Sequence, residues 1–468
     1  MLLLDSFFKK VSILSVSTGL KFIVQFIILI FASNILPLEA YGLYQSMFLF
    51  INFFSIVAVF GLNNLLLIYP LQQVVNYVKL NIKTIFPLFL IFSFLLLFVL
   101  FFTYNHFQLF QKWLLLVLLI TQVFSIVQDT LLLKAEKYNS IFLSSIVYIL
   151  LFAATHFLFF KYSYGLSFVL WGTLVTNCVK ILSQINIFFS SISFTGISFL
   201  TIDWFYIWLN DLFGNIAKWL DKWVVLFLLP QSYFAIYFNG TYEIPIFLLL
   251  LSAVNNIAVV QFANNAILHN RHVKVVFYKS TLILSVFILP AFCYLYFFTE
   301  EIFQFFFKQK YQESIKIFKI AILILPVRIV CSTALLQARK KNNVILMGSI
   351  FDVLVTIALM YFLYPIFNIQ GLVVAYILAT YLQVGFYLWQ TSLLIKKPIL
   401  YFFPAIKVIV IFTISLTATF LLKLFLNNFV VKYQFIYGFA FNIILCSIFL
   451  YFFNFLQKSK SGIVKKHK

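Results

Sequence analysis

The stretch WLLLVLLITQVFSIVQDTLLLKAEKYNSIFLSSIVYILLFAATHFLFF, Trp113 to Phe160, holds two apolar runs parted by one short charged loop. Each run has about the 20 residues a helix needs to cross roughly 30 Å of hydrocarbon. Neither alternates polar and apolar residues as a barrel strand does, so both read as helices, which satisfy their own backbone groups in lipid. The same pattern continues in both directions. Of 468 residues, 64% are hydrophobic and 10% charged, with a mean hydropathy of +1.06. A soluble chain of this length cannot hide so much apolar surface. The expected fold is therefore all-α, a polytopic membrane protein with about 14 spans: 11–33, 44–69, 84–103, 113–133, 141–160, 165–189, 204–229, 232–260, 280–298, 317–337, 344–364, 371–395, 402–422 and 434–456.

The loop charges test this count. With the N-terminus inside, 21 Lys and Arg fall on cytoplasmic segments and 8 on outside segments. An error of one span would swap the later loops and spoil that bias. Both termini are thus expected in the cytoplasm, with the tail from Lys458 to Lys468 as an orientation signal. Lys180 is counted as a cytoplasmic charge, and Lys423 falls on an outside loop where its removal should do little. The net charge of +21 then reflects loops facing anionic lipid headgroups, and nucleic-acid binding is not called for. Cys178, Cys293, Cys331 and Cys446 are scattered and form neither a disulfide framework nor a metal spacing. The first apolar run is too long for a cleaved signal and reads as an anchor.

The loop LLKAEKYN, Leu132 to Asn139, recurs as LLQARKKN, Leu335 to Asn342. Tyr41-Gly42-Leu43-Tyr44 resembles Phe234-Ala235-Ile236-Tyr237, and Gly165-Leu166 resembles Gly371-Leu372. The offsets are 203, 193 and 206, each at the same point of a six-helix unit. Together they point to duplication: a bundle over 1–200, a second over 201–397, two added helices over 398–457 and a basic tail over 458–468. Six spans is an even number, so both bundles insert the same way round, with a pseudo-two-fold along the membrane normal and a cavity between them.

Charges within the spans are costly, about 2.5–3.5 kcal/mol each on insertion scales, and so mark wet or paired positions. Span 1 carries Ser17, Lys21 and Gln25 at helical spacing. Span 7 carries Asp211, Asn215, Lys218 and Lys222 within about 60° of arc, with Asp221 at the edge. Span 2 adds Gln45, Asn52 and Ser55, and span 8 adds Asn239 and Glu243. These residues are candidates for the wall of a central cavity; the competing reading is that the span 7 charges only pair with one another. Trp204 reads as an interfacial anchor, whereas Trp208, Trp219 and Trp223 either stack on sugar rings or pack. Arg328 and Asp352 are expected to pair across spans 10 and 11. Asp129 is placed near the cytoplasmic end, reaching water. The segment from Glu300 to Lys319 reads as an amphipathic interfacial helix outside the membrane.

At these positions the chain resembles the Wzx-type polysaccharide flippases of the multidrug/oligosaccharidyl-lipid/polysaccharide exporter superfamily. The resemblance rests on Ser17-Thr18-Gly19-Leu20-Lys21, on Glu39 to Tyr44, on Asp221-Lys222-Trp223 followed by Ala235-Ile236-Tyr237, and on Leu335 to Ala338 before a basic loop. It implies two six-helix bundles, two extra helices and a cationic cavity in which Lys21 and Lys218 or Lys222 are the cations. Lys222 stands where such proteins commonly have Arg, which keeps the charge and loses the bidentate geometry. The implied substrate is a polyprenyl-diphosphate-linked oligosaccharide: an O-antigen, capsule or exopolysaccharide repeat unit. Lysines suit its diphosphate, and Asn, Gln and aromatic residues suit its glycan. A polysaccharide polymerase and glycosyltransferases are the implied partners, and the bacterial inner membrane the implied location. No G-x-x-x-x-G-K motif occurs, so ATP hydrolysis is not expected, nor is enzymatic activity or a cofactor. Asp211, Asp221 or Glu243 would carry a coupling ion, proton or sodium. The alternatives are a drug/cation antiporter of the same superfamily, whose site should be acidic, and a membrane-embedded polymerase, which should have a large outside loop.

Overall fold

A computed structural model describes residues 2–68, 104, 106–162, 165–184, 203–263 and 270–465. The expected third span, 84–103, lies outside the described residues, as do the side chains of Trp204 and of the basic tail. All regular secondary structure among the described residues is helical. Nine of the described helices are long and apolar enough to cross a membrane. The protein is a multi-pass membrane protein.

Packing divides the chain into two units, Met1–Ala235 and Ile236–Lys468. The first unit contains α1 (Leu2–Ile35), α2 (Leu38–Ala58), α3 (Leu62–Ile68), α4 (Leu109–Lys134), α5 (Tyr138–Tyr162), α6 (Leu166–Ser183) and α7 (Asp203–Leu228). Helix α8 (Gln231–Gly240) crosses the boundary. In the first unit α1 packs on α5, α4 on α2 and α6, and α7 on α2 and α3. By packing, then, α7 lies with the first unit, whereas the duplication reading makes it the opening helix of the second bundle. The second unit continues with α9 (Pro245–Ala263), α10 (Asn270–Phe297), α11 (Thr299–Phe306), α12 (Gln312–Ala321), a 3-10 helix (Ile322–Ile329), α13 (Ala334–Ala338), α14 (Asn342–Ile395), α15 (Ile399–Phe402), α16 (Ala405–Leu426) and α17 (Val431–Lys465). There α10 packs against α9, the 3-10 segment, α16 and α17.

Several expected spans are interrupted, each for a local reason. Span 2 breaks between α2 and α3, where Phe60 and Gly61 take left-handed φ of 54° and 68°. Gly61 also passes the backbone of Trp208 so closely that a Cβ would sit 3.2 Å from its Cα. Span 8 breaks over residues 241–244, because Pro245 disfavours helical backbone at the residue before it and then starts α9. Span 10 is α12, a 3-10 turn containing Pro326, and α13 rather than one helix, since proline removes a backbone donor and clashes with the preceding turn. Spans 11 and 12 form a hairpin within α14: Asn368, at φ 50° and ψ −138°, is its one non-helical residue. The Tyr387 hydroxyl then donates to the Ile345 carbonyl at 2.8 Å, 42 residues back along the chain. Helices α11 and α12 replace the single amphipathic helix expected over 300–319.

The repeated loops share their backbone. After α4, the amides of Ala135, Glu136 and Lys137 donate to the carbonyls of Leu131, Leu133 and Leu132, and those of Ser140 and Ile141 to Lys137. After α13, Arg339, Lys340 and Lys341 donate to Leu335, Gln337 and Leu336, and Val344 and Ile345 to Lys341. Glu136 and Lys340 occupy the left-handed position of these Schellman-type caps, at φ 56° and 53°. All five bonds match at an offset of 204, one residue from the offset of 203 that the letters favour. The starts of α2 and α8 match too: Tyr41 donates to the Pro37 carbonyl and Phe234 to the Pro230 carbonyl, at the sequence offset of 193. The Gly-Leu pairs do not match. Gly165 caps α6, whereas Gly371 lies three residues past the reversal in α14, against the Leu363 carbonyl.

Candidate functional site

In the first unit, helices α1, α4, α5 and α6 build a polar cluster around Asp129. The Lys180 ammonium donates to Asp129 Oδ2 at 2.6 Å and to Ser125 Oγ at 2.7 Å. Lys21 Nζ stands 3.8 Å from the same carboxylate oxygen. Two ammonium groups thus share one carboxylate, leaving a net positive charge inside an apolar bundle. The Lys21 ammonium also lies 5.8 Å from the centre of the Tyr148 ring, and the Tyr148 hydroxyl is hydrogen-bonded to Gln25. Ser17 and Ser145 join by their hydroxyls one turn away, at 2.7 Å. The seam between α4 and α6 continues with Asn177 donating to Gln122 at 3.0 Å. Parallel packing makes this possible: positions near 122, 125 and 129 of α4 face 177 and 180 of α6. Lys180, counted from the sequence as a loop charge, is buried instead, 4% exposed. Asp129 is its partner rather than a residue that merely reaches water. The signal was available: Ser125 and Asp129 are one turn apart on one helix face.

The candidates on α7 form a second group in the same unit. Asn64 donates to Asp211 at 2.7 Å, and Asn215 donates to the Asp211 carbonyl at 2.7 Å. Asp221 is 1% exposed, and Lys222 reaches it at 3.4 Å. Lys218 and Lys222 cover the Trp219 ring, their ammonium groups 5.2 and 5.4 Å from its centre. Trp223 is a packing residue, edge-on to Phe50 at 4.9 Å and to Phe53 at 5.3 Å. Trp208 packs on Phe60 at 5.6 Å. Asn52 is exposed on α2, and its carbonyl takes the Ser55 hydroxyl.

Glu243 belongs to the second unit. It sits in the break between α8 and α9, where Arg328 of the 3-10 segment donates to it at 2.6 Å and Tyr376 at 3.4 Å. Two interrupted helices therefore meet at one ion pair. Arg328 is thus paired with Glu243, and the pair expected with Asp352 does not form. Asp352 is buried on α14, 5% exposed. Farther along, Lys423 donates to Glu301 and, at 3.1 Å, to Gln434. It pins α16 to α11 and α17 and is not the inert loop lysine that the sequence suggests. From the end of α11 into α12, Phe303, Gln304, Phe307, Lys308, Lys310 and Tyr311 are among the residues lining a cavity of about 820 Å³. Burial and the neighbouring charge of Lys308 make the Lys310 ammonium easier to deprotonate than usual. Among the described residues no group of three or more His, Cys, Asp or Glu is placed to hold a metal ion.

With this geometry in view, solved structures give the comparison. The structure of the lipid II flippase MurJ in an inward closed conformation superposes with a TM-score of 0.65 at 17% identity, over 94% of this chain and 98% of that one. The chain has the fold of these transporters. A multidrug resistance MATE family transporter of the MOP superfamily matches in its outward-facing form with a TM-score of 0.58 at 14% identity, over 83% of this chain and 96% of that one. Its inward-facing form matches at 0.56 and 13% identity, over 80% and 95%. No family model and no curated protein matches the sequence.

Proposed function

We propose that this protein moves a polyprenyl-diphosphate-linked oligosaccharide, an O-antigen, capsule or exopolysaccharide repeat unit, from the cytoplasmic to the outer face of a bacterial inner membrane by alternating access. The observation that carries this reading is the pair Lys21 and Lys180 on the single carboxylate of Asp129, a cationic excess where a cation's transporter would need an anionic one. The likeness in fold to a lipid II flippase supports a lipid-linked substrate. Lys218 and Lys222 over Trp219 offer further cations on α7, and Gln25, Asn52 and Asn215 suit a glycan. Asp211, Asp221 and Glu243 remain the carboxylates suited to a coupled proton or sodium ion. Both termini would lie in the cytoplasm, and a polymerase would take the glycan outside. The second reading, a drug/cation antiporter, is favoured by the MATE likeness and opposed by the sign of this site.

The test is export of lipid-linked glycan in cells. Lys21→Ala and Lys218→Ala should each abolish it while leaving membrane abundance near wild type, and Lys→Arg at either position should keep part of it, since charge survives. Lys432→Ala, at an exposed position, is the control. Wild-type export by the double alanine variant would remove the reading.

A further inference from the structure

We infer that Asp129 is an internal stand-in for the substrate's phosphate: in the empty transporter it holds Lys21 and Lys180, and an entering diphosphate takes its place. This rests on the proposed substrate class and names how the same site receives it.

The stoichiometry is the first reason. Asp129 brings one negative charge to two ammonium groups, so the cluster is left short of anion. A diphosphate brings more charge and several strong acceptor oxygens, which suits two point cations. Hydrogen bonding is the second. Lys21, at 3.8 Å from Asp129 Oδ2, is an ion pair too long for a good hydrogen bond, while Lys180 at 2.6 Å is fully engaged. Asp129 Oδ1 is enclosed and has no hydrogen-bond partner among the described residues. The carboxylate is thus held through one oxygen only, and both of its ammonium partners reach that same oxygen. Accessibility is the third. The side chains of Asp129, Lys21 and Lys180 are 33%, 22% and 5% exposed, so Lys180 is the innermost of the three. Lys180 is also held by Ser125, independently of Asp129.

The experiment is binding of inorganic diphosphate to the full chain in detergent, by calorimetry. Asp129→Asn keeps size and removes the competing charge. It should bind diphosphate at least about fivefold more tightly than wild type, the effect of one charge at about 4 Å in bulk water, and up to about a thousandfold at the effective dielectric of a protein surface. Lys180→Gln should bind at least about tenfold more weakly, and Lys180→Arg close to wild type, for the same Coulombic reason. A carboxylate that merely orders the lysines gives the opposite sign, because its loss would weaken binding. Unchanged or weaker binding by Asp129→Asn overturns the inference. If that variant does not fold, Asp129→Ser carries the same sign. Tightened diphosphate binding in a chain that exports no lipid-linked glycan would sustain this inference and remove the proposed substrate. Unshifted affinity in Asp129→Asn, in a chain that does export glycan, would remove only the inference.

Discussion

The two units solve the problem of intramembrane charge differently. In the first, two lysines share one carboxylate on continuous helices, and the site stays electrically unbalanced. In the second, Glu243 and Arg328 balance one to one, and both lie where helices are broken. Irregular backbone at membrane depth is tolerated only where it is enclosed by protein or lines a cavity. The second pair therefore closes a gap in the fold, while the first is the one we propose receives a ligand. Removing a charge should expose this difference: in the second unit the chain should lose stability, and in the first it should lose function.

The largest effect is expected at the balanced pair. Arg328→Ala leaves Glu243 uncompensated and should cost about 3 kcal/mol, the lower end of the range for a broken buried pair, because 14% and 22% of the two side chains remain accessible. Membrane abundance should fall steeply, whereas Lys21→Ala should leave it nearly unchanged; equal losses in both would erase the contrast. A smaller effect tests the packing of the first unit. Gly42→Ala would put a Cβ 2.2 Å from the Gln231 carbonyl oxygen, a backbone atom that cannot step aside. It should cost about 2 kcal/mol by overpacking and lower the melting temperature in detergent. Of similar size is Lys423→Ala, which strands Glu301, a side chain only 9% accessible, and should cost about 2 kcal/mol. Lys432→Ala, on an exposed stretch, should fall within about 0.5 kcal/mol of wild type.

Much of this architecture is legible in the sequence because a bilayer imposes it. Apolar runs of spanning length follow from local chemistry, and the loops LLKAEKYN and LLQARKKN end their helices in the same cap geometry. Lys180 escaped because a lysine near a span end looks like a topology signal; only the parallel pairing of α4 with α6 brings it to Asp129. The Glu243–Arg328 pair was hidden for a different reason. It needs two helix breaks, signalled by Pro245 and Pro326, and a long-range contact that no local pattern encodes. On α7 the stripe of polar residues was legible, but which tryptophans pack was not, since Phe50 and Phe53 meet Trp223 from another helix.

On the proposed function, the unbalanced cations of the first unit serve an anionic, lipid-linked cargo. The decisive measurement follows, in proteoliposomes, the transbilayer movement of a labelled polyprenyl-diphosphate oligosaccharide beside that of a lipophilic cation. Wild type and Lys432→Ala should move the glycolipid and not the cation, and a Lys21→Ala, Lys180→Ala double variant should move neither. Movement of the cation alone, or undiminished movement of the glycolipid by the double variant, would contradict the account.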